Sequence, residues 1–198
     1  MSKAEKTKAF IIEKTAPIFN RKGYAGTSIN DMTDATGLTR GSIYGNFANK
    51  DEVALAAFDF NLSKINTIFK TELAKQNTTK DKLLVFVDVY VNFLSHPFPS
   101  GGCPILNTAT EADDTHPELK KKVMAGILRW KQTIVDLVEE GIAEKEIEES
   151  VNPEQIALTI IATIEGGLMI AQSTGKMNYL KLIVKSVEKL INDLIRQK

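Results

Sequence analysis

The stretch Thr27-Ser28-Ile29-Asn30-Asp31-Met32-Thr33-Asp34-Ala35-Thr36-Gly37-Leu38-Thr39-Arg40-Gly41-Ser42-Ile43-Tyr44-Gly45-Asn46-Phe47 decides how this chain is read. Ser28 stands where an N-cap belongs, and Asp31 three residues on forms a capping box with Asp in place of Glu. A short helix therefore begins after Ser28 and ends at Gly37, which accepts the left-handed backbone of a tight turn. Thr39 caps the next helix, expected from Arg40 to about Asn46. Met32 and Ala35 face the preceding helix, and Ala35 is small enough for close approach. Leu38, Ile43 and Phe47 supply the buried side of the second helix. That leaves Thr39, Arg40, Ser42, Tyr44 and Asn46 outward, a polar set suited to phosphates and base edges. Two short helices joined by a glycine turn make a helix-turn-helix, whose second helix enters the DNA major groove. The same geometry also occurs in proteins that bind no DNA.

Outward from this segment helical periodicity dominates, and no run alternates as a strand would. The first helix is expected from about Ala4 to Lys22, with Phe10, Ile11, Thr15, Ile18 and Phe19 on one buried face and Gly23 as its stop. Pro17 inside it removes one backbone bond and adds a kink. Asn49 caps a fourth helix, with Glu52 at its third position, running to about Lys75. Lys80 to Ser95 carries Leu83, Leu84, Val87, Tyr90, Val91 and Leu94 at helical spacing. The prolines and glycines between His96 and Gly102 forbid regular structure. Helices follow over Pro104 to Ala112, Pro117 to about Gly141, Pro153 to about Ser173 and Asn178 to Arg196. The fold class is all-α, with a helix-turn-helix domain at 1–49 and a larger helical domain at 50–198. No linker separates the two, so the fourth helix should couple them mechanically.

The 198 residues are 43% hydrophobic, ordinary for a globular protein and far from the composition of disorder. The net charge is zero, but residues 1–50 hold eight Lys or Arg against four acids, a net +4 that leaves −4 for the remainder. A basic head on an acidic body suggests an anionic partner at one end. A single cysteine, Cys103, excludes an internal disulfide framework and a multi-cysteine metal site, and fits a reducing compartment. The polar start Met1-Ser2-Lys3-Ala4-Glu5-Lys6 is unlike a signal peptide. The apolar run Ile156 to Ile164 is stopped by Glu165, too short to span a bilayer. A soluble cytoplasmic protein with no membrane partner is expected. His96 and His116 lack metal-ligand spacing and read as a loop residue and a helix cap. No catalytic motif, metal site or cofactor site is recognised, so an enzyme is not expected.

The head carries a set of ordered matches. They are Ile18-Phe19, Lys22-Gly23-Tyr24 and Thr27-Ser28; then Asp31-Met32 and Thr36-Gly37-Leu38-Thr39-Arg40-Gly41-Ser42-Ile43-Tyr44; then Asn46-Phe47 and Asn49-Lys50-Asp51-Glu52-Val53. Through these, residues 8–55 resemble the DNA-binding domain of the TetR family of bacterial one-component transcriptional regulators. The resemblance implies that Tyr44 and Lys50 contact backbone phosphate. It places Thr39 and Arg40 at the start of the recognition helix, where an arginine can bond guanine bidentately. Gly41 would let that helix approach the DNA backbone, with Ser28 and Ser42 in the same footprint. Gly45 and Asn46 depart from the family pattern, in which an aromatic residue and a histidine are frequent. Gly45 removes a contact, while Asn46 can still donate to phosphate or read adenine. Tyr24 is open between a phosphate contact and simple packing.

The rest of the chain takes the family's position for a ligand-binding and dimerisation domain. A homodimeric repressor is implied, bound to a palindromic double-stranded operator and released by a small-molecule effector. The last two helices would form the dimer bundle, with Gly166, Gly167 and Leu168 at close approach. Phe93, Phe98, Cys103, Met124 and Trp130 are the candidates to enclose the effector. Cys103 is either a small buried residue or, at a helix start that favours thiolate, a sensor of electrophiles. An adaptor that keeps the fold without binding DNA is the remaining alternative.

Overall fold

The computed structural model describes residues 2–92 and 96–196. Among them the chain forms ten helices: α1 (Lys3–Gly26), α2 (Ile29–Thr36), α3 (Arg40–Tyr44), α4 (Lys50–Leu73), α5 (Thr79–Val91), α6 (Pro104–Thr115), α7 (Pro117–Ala143), α8 (Pro153–Thr174), α9 (Asn178–Ile183) and α10 (Lys185–Leu194). The β-type pairing among these residues is an isolated bridge between Ile147 and Ile195. The caps fall where local chemistry puts them. Ser28 and Asp31 make a reciprocal capping box, Gly37 closes α2 at φ 67°, and the Thr39 hydroxyl accepts the Ser42 N–H at 3.1 Å. The last helix differs from expectation, because it bends at Val184 (ψ −13°) and continues as α9 and α10.

The chain divides into two compact units, one of Met1–Asn66 with Phe98–Gly126, the other of Thr67–Pro97 with Ile127–Lys198. This division differs from a boundary between residues 49 and 50. The first part of α4, all of α6 and the start of α7 join α1–α3, and long-range hydrogen bonds explain why α6 does so.

In the first unit Ile11, Phe19, Met32, Ile43, Phe47, Val53 and Ala57 form one buried core. The end of α1 is gripped by the segment around α6. The Asn20 side chain donates to the carbonyls of Ser100 at 2.8 Å and Gly102 at 2.9 Å. Asn107 donates to the carbonyls of Asn20 and Gly101, both at 2.9 Å. Gly23 breaks α1 at φ 72°, ψ −179°, which takes the following N–H groups out of the helical ladder. The Glu111 carboxylate accepts two of them, from Tyr24 and Ala25, each at 2.7 Å. The left-handed φ favours glycine, and a Cβ on Gly23 would displace the Glu111 carboxylate from the two N–H groups that it accepts.

In the second unit α8 packs on α9. A Cβ at Gly167 would stand 3.1 Å from Leu180 and 3.2 Å from Ile183 of the same chain, and Leu168 is 2% exposed. The close approach expected at a subunit seam is thus made inside the chain by these two residues. α8 is long and apolar enough to cross a membrane by length and composition, contrary to the reading that Glu165 cuts it short. Its Ile156, Ile160, Ile164 and Leu168 stripe is buried within the unit, as in the core helix of a soluble protein.

Replacing Glu111 by alanine leaves the Tyr24 and Ala25 N–H groups without their carboxylate. The expected loss is about 1–2 kcal/mol, or about 2–4 °C of Tm per kcal/mol for a chain of this size. Thermal denaturation followed by circular dichroism checks it; an unchanged Tm contradicts the assigned role.

Candidate nucleic-acid interface

The interface is built on α3. Ile43 (0% exposed) and Phe47 (2%) anchor it in the core, and half-buried Leu38 packs against the same cluster. Periodicity then presents Thr39, Arg40 and Gly41 to solvent, with Ser42 and Tyr44 half-buried beside them. A Cβ at Gly41 would meet nothing nearer than the Thr39 hydroxyl at 3.9 Å. The Arg40 guanidinium lies 5.7 Å from the centre of the Tyr44 ring. Asn46 donates a side-chain N–H to the Ser42 carbonyl at 2.9 Å, closing the end of α3, so part of its donor capacity is committed. Ser28 is exposed, but its hydroxyl is engaged with Asp31 at 2.8 Å within the capping box.

Lys50 opens α4 with its ammonium 4.4 Å from the centre of the Tyr24 ring. The Tyr24 hydroxyl donates to the Asp51 carboxylate. That bond, reinforced by burial, pushes the phenol up to about 12. Tyr24 therefore supports Lys50 and holds Asp51, which decides for packing over a direct phosphate contact. Among the described residues neither Arg40 nor Lys50 has a carboxylate within ion-pair distance, whereas Lys22 pairs with Asp31. The Lys22 hydrogen bond, with the Ser28 N–H, holds the Asp31 carboxyl well below the usual carboxylate range.

His116 caps α7, its Nδ1 accepting the Leu119 N–H at 3.2 Å, and its ring meets Tyr24 edge-on at 4.7 Å. Its Nε2 stands 3.9 Å from the Asp51 carboxylate. His96 lies in the loop before α6, with Nδ1 4.0 Å from Glu72. No group of three metal-ligating side chains gathers among the described residues.

The described effector candidates divide between the two units. Phe93 lies outside the described residues. Phe98, half-buried, and Cys103, 1% exposed at the N-cap of α6, belong to the first unit. Met124 is 55% exposed, also in the first unit. The buried stripe of α7 runs through Leu119, Val123, Trp130, Ile134 and Val138, and Met124 sits one position off it. Trp130 belongs to the second unit, stacked parallel to Tyr90 at 5.6 Å with Phe69 at 6.1 Å and Phe86 at 6.4 Å. The Tyr90 hydroxyl donates to Glu165 at 3.1 Å, and the buried indole N–H of Trp130 finds no acceptor among the described residues. Phe69, Tyr90 and Glu165 were absent from the sequence candidates. The signal available for the last was a lone acid inside an apolar helix.

Two sequence families match this arrangement in order. Residues 11–57 match the bacterial regulatory proteins of the tetR family, and residues 79–187 match the tetracyclin repressor-like C-terminal domain, so the second match alone covers more than half of the chain. The chain belongs to the TetR family. A TetR-family transcriptional regulator from Cytophaga hutchinsonii has a structure similar to it, with a TM-score of 0.95 and 45% identity, covering 100% of this chain and 99% of that one. A TetR regulator from Chloroflexus aurantiacus J-10-FL is similar at a TM-score of 0.94 and 40% identity over 100% of both chains. The uncharacterised regulator YxaF of Bacillus subtilis (strain 168) is 22% identical over 91% of this chain and 93% of its own length. As a TetR-family member the protein is a DNA-binding transcriptional regulator and not an enzyme.

Burial of Cys103 sets a chemical expectation. Its thiol should react with Ellman's reagent roughly 100-fold or more slowly in the native protein than after unfolding, since attack must wait for local opening. Equal rates in the two states would favour the electrophile-sensor reading.

Proposed function

We propose that this TetR-family regulator is a homodimeric repressor that binds an approximately palindromic operator and leaves it when a small-molecule effector occupies the second unit. The observation that carries the DNA-facing part is the open space over Gly41. Glycine inside a helix costs up to about 1 kcal/mol relative to alanine. Here no positive φ requires it, and among the described residues nothing beyond its own helix backbone and chain neighbours comes nearer to a Cβ there than the Thr39 hydroxyl at 3.9 Å. An external surface that must come close accounts for it, and among the described residues neither Arg40 nor Lys50 has a carboxylate within ion-pair distance.

In this reading Tyr44, Ser42, Asn46 and Lys50 meet phosphates, and Thr39 and Arg40 reach base edges. Ser28 marks the N-terminus of α2 at the same edge. Two-fold symmetry of the protein then matches an operator of two half-sites.

The dimer seam is assigned to the outer face of α8. Leu158 (47% exposed), Met169 (50%) and Ile170 (41%) follow helical spacing around Gly166, over which a Cβ would meet nothing within 4 Å. Gly166, rather than Gly167 or Leu168, is the residue whose small size serves a second chain. The effector is assigned to the aromatic cluster of Phe69, Phe86, Tyr90 and Trp130, because a ligand acceptor would satisfy the indole N–H. Occupancy shifts the population toward a state that fits the groove less well, and a 100-fold loss of affinity requires about 2.7 kcal/mol of coupling. α4 and α7 contribute residues to both units and offer continuous elements for that coupling. The cytoplasm, where operator DNA is accessible, is the proposed location.

Two substitutions test these assignments. Gly41→Leu should leave Tm unchanged or higher, yet weaken binding to the DNA upstream of the protein's own gene by about tenfold or more, equivalent to 1.4 kcal/mol. Unaltered affinity in gel-shift titration would remove the close-approach argument.

Gly166→Leu should yield monomers in sedimentation velocity, with a folded spectrum. Gly167→Leu should instead destabilise the chain by about 1–3 kcal/mol through clashes with Leu180 and Ile183. A Gly166→Leu protein that sediments as an intact dimer would contradict the seam.

A further inference from the structure

We propose that Lys8 on α1 is a further DNA-backbone contact, seated to meet the phosphate beside the α3–α4 turn. The inference rests on the DNA-binding reading of the α3 edge and extends it to an element outside the helix-turn-helix. Lys8 is exposed, and its ammonium lies 4.7 Å from the centre of the Phe47 ring. Phe47 is itself 2% exposed and sits in the turn between Asn46 and Lys50. The contact therefore ties a cation of α1 to the segment that carries the phosphate-facing residues.

Three observations give this position its meaning. Gly45 brings no side chain to the turn, and Asn46 has committed a donor to Ser42. Between Arg40 and Lys50 the segment consequently has no cation of its own, and Lys8 supplies one. Next, Lys8 retains its charge. Glu5, three residues earlier, is its natural ion-pair partner on a helix surface. It instead accepts the Ser2 N–H at 2.7 Å in the cap of α1, and no carboxylate lies within ion-pair distance of Lys8 among the described residues. Finally, an aromatic ring orients an ammonium without neutralising it, because the ring contributes a quadrupole and no net charge. Lys14 and Lys64 rest on Phe10 and Phe60 in the same manner, but those rings belong to the lysines' own helices. The ring under Lys8 belongs to the DNA-facing turn.

Backbone contacts are independent of base sequence, so a fluorescein-labelled mixed-sequence duplex suffices as the probe. Binding is measured by anisotropy across a salt series, for the full-length protein and its variants. Each phosphate neutralised by a cation adds about 0.9 to the slope of log K against log salt. Lys8→Gln should lower that slope by about 0.9 per bound chain, and Lys8→Arg should restore it. Lys70→Gln, an exposed lysine on the later part of α4, should leave it unchanged. If Lys50→Gln lowers the slope and Lys8→Gln does not, the Lys8 contact is wrong while the footprint stands. If neither variant changes the slope, the footprint itself fails and the Lys8 contact falls with it. Equal Tm for Lys8→Gln and wild type separates loss of a contact from loss of structure.

Discussion

The bend inside α1 at Gly23 depends on one carboxylate. Gly23 turns the backbone out of the helix, and Tyr24 and Ala25 are left with N–H groups that the ladder no longer satisfies. Glu111 accepts both, as a charged acceptor that makes stronger bonds than a neutral one. Asn20 adds two bonds from the end of α1 to the turn before α6, and Asn107 of α6 donates to the Asn20 carbonyl and to Gly101 of that turn. α1 supplies Ile11 and Phe19 to the core that anchors Ile43 and Phe47. The recognition helix therefore inherits its placement, relative to α6, from these bonds.

A chain of zero net charge binds DNA through arrangement rather than excess. Acids around the helix-turn-helix are engaged by local donors. Asp31 holds Ser28 and Lys22, Asp51 receives the Tyr24 hydroxyl, and Glu52 accepts the Ala48 N–H at 2.9 Å. The cations nearest the recognition helix rest on aromatic rings instead. Elsewhere lysines meet carboxylates directly, as Lys82 does with Glu140 at 3.0 Å and Lys122 with Asp59 at 2.6 Å. Ion pairs of this exposed kind add little to stability but do cancel local field. Leaving them out of the α3 edge preserves a positive potential where an anionic partner would approach.

Glycine serves three separate purposes here. At Gly37 the backbone conformation requires it. At Gly167 the neighbours Leu180 and Ile183 require it. At Gly41 and Gly166 neither reason operates among the described residues, which is why close approach of DNA and of a second chain is proposed there. Adjacent residues on one helix point about 100° apart, so Gly166 and Gly167 cannot face the same partner.

What sequence alone determined were features set within a few residues: the capping boxes, the Gly37 turn, the inward Leu38, Ile43 and Phe47, and the outward α3 edge. These follow from hydrogen bonds at i, i+3 and from a 3.6-residue period, both of which are written in local order. The TetR resemblance was legible for the same reason, since its matches lie in that compact segment. Tertiary structure decided the rest. Glu111 reaches Tyr24 across 87 positions, and nothing local announces that pairing. The sequence offered Met124 and Trp130 together on one helix, but only packing put Trp130 inside with Phe69 and Tyr90 and left Met124 exposed. The seating of Lys8 on Phe47 likewise needed α1 to be laid against the α3–α4 turn. Local chemistry specifies which way a chain bends, whereas contacts between distant segments arise only once the helices are packed.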